Sequence, residues 1–203
     1  MIFGAMENEK TAIVILAAGP SSRLGEPKQL VIFKGETLLR RLAQNAVLAS
    51  KNVFVVLGAH ENLIAPTLEN LPVQIIKNPR WATGMASSIA TGLAAAMAQV
   101  ADLEGVIFSV CDQPRLSAAV FQKIISQKNL SKKGIVACGY GGSAGVPVLF
   151  SKKYFPKLLL LEGEKGAKNL IRENPGDLDL VDFPGGDWDI DELRDLPKNR
   201  PKS

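Results

Sequence analysis

Apolar residues fall into two alternating kinds of segment along this chain. Short runs at residues 11–16, 53–57, 73–76, 106–110 and 135–138 are rich in β-branched side chains and bounded by Gly, Pro or Asn. A run that is apolar at almost every position has no solvent face, so it predicts a strand covered on both sides, as in a parallel sheet. Between these runs the spacing becomes helical. Leu38, Leu39, Leu42, Ala46 and Leu48 form one amphipathic face. Residues 85–100 are rich in Ala and follow Thr83, a candidate N-cap, and residues 119–125 follow Ser117, a second one.

Strand and helix patterns alternate from residue 11 to about residue 128, which predicts right-handed βαβ units in a three-layer α/β sandwich. After Gly134 the alternation stops. GYGGSAGVPVLF has the glycine content of a loop or bulged hairpin entering a strand at residues 146–150, so an antiparallel insertion in a mixed, mostly parallel sheet is expected. With 203 residues, 46% of them hydrophobic, the chain can bury one substantial core. A single domain over residues 11–196 is expected, with residues 1–10 and 197–203 as flexible tails.

The formal charge of +4 is modest and its Lys and Arg are scattered, apart from a short basic stretch at the C-terminus. Neither a nucleic-acid stripe nor a polybasic membrane patch is implied. No apolar run approaches the roughly 20 residues of a membrane span, and MIFGAMENEK lacks the pattern of a secretion signal, so a cytoplasmic protein is expected. Cys111 and Cys138, the two cysteines, sit in apolar runs and read as reduced, buried thiols. His60, the one histidine, follows a different strand, so a Cys–His nucleophile pair is not expected. It is placed at the start of a helix opening at Glu61, and Trp81 and Trp188 are assigned to packing.

The densest chemistry lies in LAAGPSSRLGEPKQL, residues 16–30, directly after the first strand. In an open α/β sheet, ligands bind beyond the carboxyl ends of the strands. Gly19 and Gly25 let backbone approach a ligand, small residues leave amide N–H groups free for phosphate oxygens, and Arg23 and Lys28 bring positive charge. The glycine spacing matches neither a Walker A loop nor GxGxxG. A second feature is SVCDQP, where Asp112 follows the strand-like run ending at residue 110. Alone, this Asp reads as the start of a turn before Pro114; beside the first loop, it reads as a metal ligand. A third is DWDIDELRDL. Its alternation places Asp189 and Asp191 on one face of an extended segment, although Asp191 could instead cap a helix over ELRDL. A fourth is NPRWATGMASSIATGL, residues 78–93, a loop entering a helix whose unpaired N–H groups and small residues leave room for a ribose or base.

LAAGPSSRLGEPK resembles the LAAGxSxRxGxxK signature of the MobA-like nucleotidyltransferases, which include the molybdenum cofactor cytidylyl- and guanylyltransferases. The resemblance implies a Rossmann-like sandwich of the nucleotidyltransferase type. It also implies nucleotide contacts from Leu16, Ala17, Ala18 and Gly19, with Arg23 on the β- and γ-phosphates and Lys28 near the α-phosphate as the catalytic cations. By the same likeness Asp112 is a magnesium ligand, Asp189 supplies a second metal contact in preference to Asp191, and Asn78, Gly84 and Ser88 touch the nucleotide. GVPVLF and LEGEKGAKNLI resemble stretches that lie near the acceptor in that family, with Glu164 where Asp is usual and Lys168 where Arg is usual. The change to Lys168 replaces a bidentate clamp with a point charge.

The reaction the resemblance implies is transfer of CMP from CTP to the phosphate of the molybdopterin cofactor, with Mg2+, release of pyrophosphate and hand-over to a recipient molybdoenzyme. Ala18 in LAAG, where guanylyltransferases read LAGG, favours cytosine, because its methyl beside the base excludes the larger purine. Alternatives that share the loop are a sugar-phosphate or methylerythritol-phosphate cytidylyltransferase and a non-catalytic molybdopterin-binding chaperone.

Overall fold

The computed structural model describes residues 10–21, 24–164, 166–190 and 195. Its elements, in chain order, are β1 (Thr11–Ala17), β2 (Ile32–Phe33), β3 (Glu36–Thr37), α1 (Leu38–Val47), β4 (Val53–Leu57), α2 (Glu61–Ile64), β5 (Gln74–Lys77), α3 (Met85–Gln99), β6 (Gly105–Val110), α4 (Ala118–Ser131), β7 (Ile135–Tyr140), β8 (Ser143–Ser151), α5 (Phe155–Leu159), α6 (Lys168–Arg172) and β9 (Leu178–Asp182).

Strand β1 is buried along its whole length. Ile13, Ile15 and Ala17 enter the core under α1 and α4, while Ala12, Val14 and Leu16 enter the core under α3, α5 and α6. The period-two alternation of a strand therefore feeds two cores, and three layers result. The seven-stranded sheet has the order β5-β4-β1-β6-β8-β7-β9. β1 runs parallel to β4 and β6, β4 to β5, and β7 to β9, whereas β8 is antiparallel to both its neighbours. The expected antiparallel insertion is thus β8, reached by a hairpin whose register shifts between Ala137 and Cys138. The fold is an α/β three-layer sandwich on a mostly parallel sheet.

Several local expectations change. Leu48 is 71% exposed at the end of α1, and Ala43 takes its place in the buried stripe. Thr83 does not cap α3; its hydroxyl donates to the Arg80 carbonyl at 2.8 Å, and Gly84 occupies the cap position. Ser117 stands at the cap position of α4 without a side-chain hydrogen bond. Thr37, by contrast, caps α1 by accepting from the Arg40 amide at 3.2 Å. Strand β9 was not anticipated: LDLVD is half polar because β9 lies at the edge of the sheet, with Leu180 half exposed.

Two features bring loops together. β1 and β6 are parallel neighbours with Leu16 opposite Val110, so the segments after both strands emerge at the same edge. A third cluster of Leu24, Val31, Phe33, Leu38 and Ile190, flanked by Trp188, packs the end of the first loop onto the C-terminal segment.

Candidate active site

The segments after β1 and β6 meet at an ion pair. Lys28 Nζ donates to Asp112 Oδ2 at 3.0 Å, joining residues 84 positions apart, and both side chains are about one-fifth exposed. The other carboxylate oxygen, Asp112 Oδ1, is buried with no hydrogen-bond partner. Such an orphan acceptor is costly and fits a site that takes up a cation.

The pair stands in a cavity of about 330 Å³. Eight sequence-predicted residues line it: Leu16, Ala17, Ala18, Gly19, Lys28, Gly84, Ser88 and Asp112. Two others have different positions. Asn78 is fully buried and not at the wall; its amide nitrogen donates to Ser87 Oγ at 2.9 Å and Ser88 Oγ at 3.0 Å, and its Oδ1 accepts from the Arg80 amide at 3.0 Å. It holds the start of α3, including Ser88, against the loop before it. Asp189 is not in the cavity lining, but the next residue, Ile190, donates its amide to the Asp112 carbonyl at 2.9 Å, which docks this segment beside the ion pair. Arg23 and Asp191 lie outside the described residues, as do the two tails apart from Lys10.

The first loop is braced from inside by a residue that the sequence reading passed over. Gln29 is 2% exposed. Its Nε2 donates to the Ala17 carbonyl at 2.8 Å and the Gly19 carbonyl at 3.1 Å, while Ser21 Oγ accepts from the Lys28 amide at 3.0 Å and lies 3.4 Å from Gln29 Oε1. Loop carbonyls are thereby drawn inward, a precondition for amides to serve a ligand. The only hint in the sequence is a polar residue directly after Lys28, ahead of the apolar run Leu30, Val31, Ile32 and Phe33.

On the α3 side, Gly84 takes φ 111° and Ala86 donates its amide to the Gly163 carbonyl at 3.1 Å. Glu164 follows at the cavity wall, so the stretch expected near the acceptor does border the same space. Behind Asp112, Gln113 Nε2 donates to the Gly186 carbonyl at 2.7 Å and to the Tyr140 hydroxyl at 3.3 Å. Burial pushes the Tyr140 phenol above its ordinary value, opposed by the Gln113 bond and reinforced by the carboxylates of Asp189 and Asp112.

Cys111 also lines the cavity, but burial, with Asp112 adding to it, pushes its thiol up to about 12. Burial raises Cys138 to about 12 as well. Neither thiol is poised as a nucleophile. His60 stands at the start of α2 with φ 58° and makes no cap bond with its side chain. Trp188 packs edge-on to Phe33, as expected, whereas Trp81 lines the cavity.

Among the described residues no group of three or more His, Cys, Asp or Glu side chains gathers as a metal site. A cation held here would therefore take one or two carboxylates and draw its remaining ligands from phosphate and water, as magnesium does. No helix among those residues is long and apolar enough to cross a membrane.

The chain is similar to the nicotine blue oxidoreductase of Paenarthrobacter nicotinovorans, with 28% identity over 83% of this chain and 85% of that protein. It is 29% identical to the molybdenum cofactor cytidylyltransferase of Escherichia coli (strain K12) over 68% of this chain and 69% of that one. The crystal structure of Rv0371c from Mycobacterium tuberculosis H37Rv superposes with a TM-score of 0.74 at 27% identity, covering 91% of this chain and 94% of that chain. The MobA-like NTP transferase domain matches residues 13–178, and the chain belongs to that family.

Proposed function

We propose that this protein transfers CMP from CTP to the terminal phosphate of molybdopterin and releases pyrophosphate. The observation that carries the reading is the Lys28–Asp112 pair at the mouth of the first loop, with an orphaned Asp112 oxygen beside it. An acceptor phosphate oxygen attacks the α-phosphorus, a new P–O bond forms, and the bond to the bridging oxygen breaks as pyrophosphate leaves. Such a displacement needs positioning and electrostatic balance rather than a protein nucleophile. That requirement suits a site whose thiol is held protonated.

In this reading Leu16, Ala17, Ala18 and Gly19 receive the nucleotide. Lys28 and Arg23 are the cations that offset charge on the phosphates, and Gly84 and Ser88 border the sugar or base. Asn78 acts through Ser87 and Ser88 rather than by touching the ligand. Asp112, with Asp189 as the second contact, would hold magnesium, which when bound offsets negative charge on the triphosphate. The likeness to a molybdenum cofactor cytidylyltransferase supports the choice of acceptor, and Ala18 at the wall supports cytosine over guanine. The working unit is a single cytoplasmic domain over residues 11–196, acting on small phosphate substrates and not on nucleic acid or membranes.

The test is pyrophosphate release with magnesium, comparing CTP, GTP and UTP, each with and without molybdopterin. Release with CTP that depends on molybdopterin is expected, and Asp112→Asn should lose turnover far more than nucleotide affinity. Release with CTP only when a sugar phosphate or methylerythritol phosphate is supplied would replace the acceptor. Binding without release from any nucleotide would overturn the reading in favour of a binding chaperone.

A further inference from the structure

We propose that Trp81 is the surface on which the base of the bound nucleotide stacks. This rests on the nucleotidyltransferase reading above and adds to it the residue that receives the base. Trp81 opens the single turn Trp81–Thr83 ahead of α3, with its amide held by the Asn78 carbonyl at 3.3 Å. It packs in part against the core that contains Leu16 and Ala18, and it also lines the cavity together with Ala18, Gly19, Ala82 and Gly84.

Its place is set from below by Gly58. A Cβ at Gly58 would come within 2.5 Å of Trp81 Cβ, 2.7 Å of its Cγ and 2.9 Å of the Ala18 carbonyl oxygen. Only a residue without a side chain lets Trp81 and Ala18 meet there. The Ala59 amide donates to the same Ala18 carbonyl at 3.0 Å, so the contact is built into the backbone.

The cavity therefore has two unlike parts. Where Lys28 meets Asp112 it is charged; where Ala18, Ala82 and Trp81 line it, with Gly58 beneath, it is small-chained and aromatic. A nucleotide whose phosphates take the charged part brings its planar base to the aromatic part. An indole offers a broad π surface with few rotatable bonds, and stacking accepts any base, with a gain of roughly ten- to a hundredfold in affinity. Discrimination among bases then falls to the Ala18 methyl and the surrounding backbone, while Trp81 supplies affinity common to all of them.

Fluorescence can isolate this contact, because the chain has two tryptophans and Trp188 sits outside the cavity on Phe33 and Arg115. In a Trp188→Phe background, CTP is expected to quench Trp81 emission, and inorganic tripolyphosphate, which has the phosphates but no base, is not. By equilibrium dialysis, Trp81→Ala should weaken CTP binding by about tenfold or more, leave tripolyphosphate binding unchanged, and be largely restored in Trp81→Phe. An equal loss for both ligands would mean that Trp81 only supports the loop, and an unchanged CTP affinity would mean that the base lies elsewhere; either overturns the proposal. If the wild-type protein binds none of CTP, GTP and UTP, the nucleotidyltransferase reading itself falls and takes this one with it.

Discussion

Gly84 and Gly163 lie in contact across the wall of the cavity: a Cβ on Gly84 would stand 2.5 Å from the Gly163 carbonyl oxygen and 2.6 Å from its carbon. One belongs to the loop entering α3 and the other to the stretch that ends at Glu164, so this contact joins two sequence motifs separated in the chain by β6, β7 and β8. Both residues have φ in the region that favours glycine, 111° and 73°.

Alanine at these two positions should behave differently. At Gly163 there is open space, so Gly163→Ala carries only conformational strain, about 1 kcal/mol. At Gly84 the same strain is joined by a backbone clash, and Gly84→Ala should cost about 2–3 kcal/mol or more and weaken nucleotide binding as the wall shifts. Urea unfolding of the two variants checks the order. Equal losses would show that the contact is looser than described.

Gln29 should matter to the loop more than its distance from any reacting atom suggests. Gln29→Met keeps the length of the side chain and removes both bonds, the buried one to the Ala17 carbonyl and the part-buried one to the Gly19 carbonyl. The expected loss is about 1–3 kcal/mol of stability. Nucleotide affinity should fall with it, while Asp112→Asn affects turnover. Denaturation midpoints together with dialysis of CTP decide this, and a variant with wild-type stability and affinity would sink the bracing role.

Asp177 gathers three donors: Tyr154 Oη at 2.5 Å, Lys153 Nζ at 2.7 Å and the Gly134 amide at 3.0 Å. Partial burial disfavours its charge, but these bonds overcome that and bring the carboxyl down from 3.8 to about 2. Because the folded value lies below the unfolded one, the stabilisation is complete above about pH 4 and disappears as pH falls through about 2. The stability gap between the wild type and Asp177→Asn should accordingly be constant near neutrality and close between about pH 4 and pH 2. Urea midpoints measured across that range provide the check, and a gap that ignores pH would refute the assignment.

Much of this architecture could be read before any coordinates. Residues 11–16 are apolar on both faces of a strand, which allows only a central position between two helical layers, and α1 and α3 begin and end near where the spacing placed them. Strand β9 escaped because an edge strand meets the core with only part of its side chains. Leu48 misled for the converse reason: helical spacing places it near the apolar face but cannot say where the helix stops.

At the site, local sequence was enough to mark residues 16–30 and Asp112, since glycines, small side chains and cations after a strand already define a loop suited to phosphates. It could not show that Lys28 and Asp112 touch, because that depends on β1 and β6 being parallel neighbours. Nor could it separate Asn78, buried and spent on two serines, from Trp81, which shares its motif and reaches the cavity wall. Residue type and spacing determine which chemistry a segment can carry. Which side of each segment faces the cavity is decided by contacts between residues far apart in the chain, here Gly58 beneath Trp81 and Gly163 against Gly84, and those exist only once the sheet has formed.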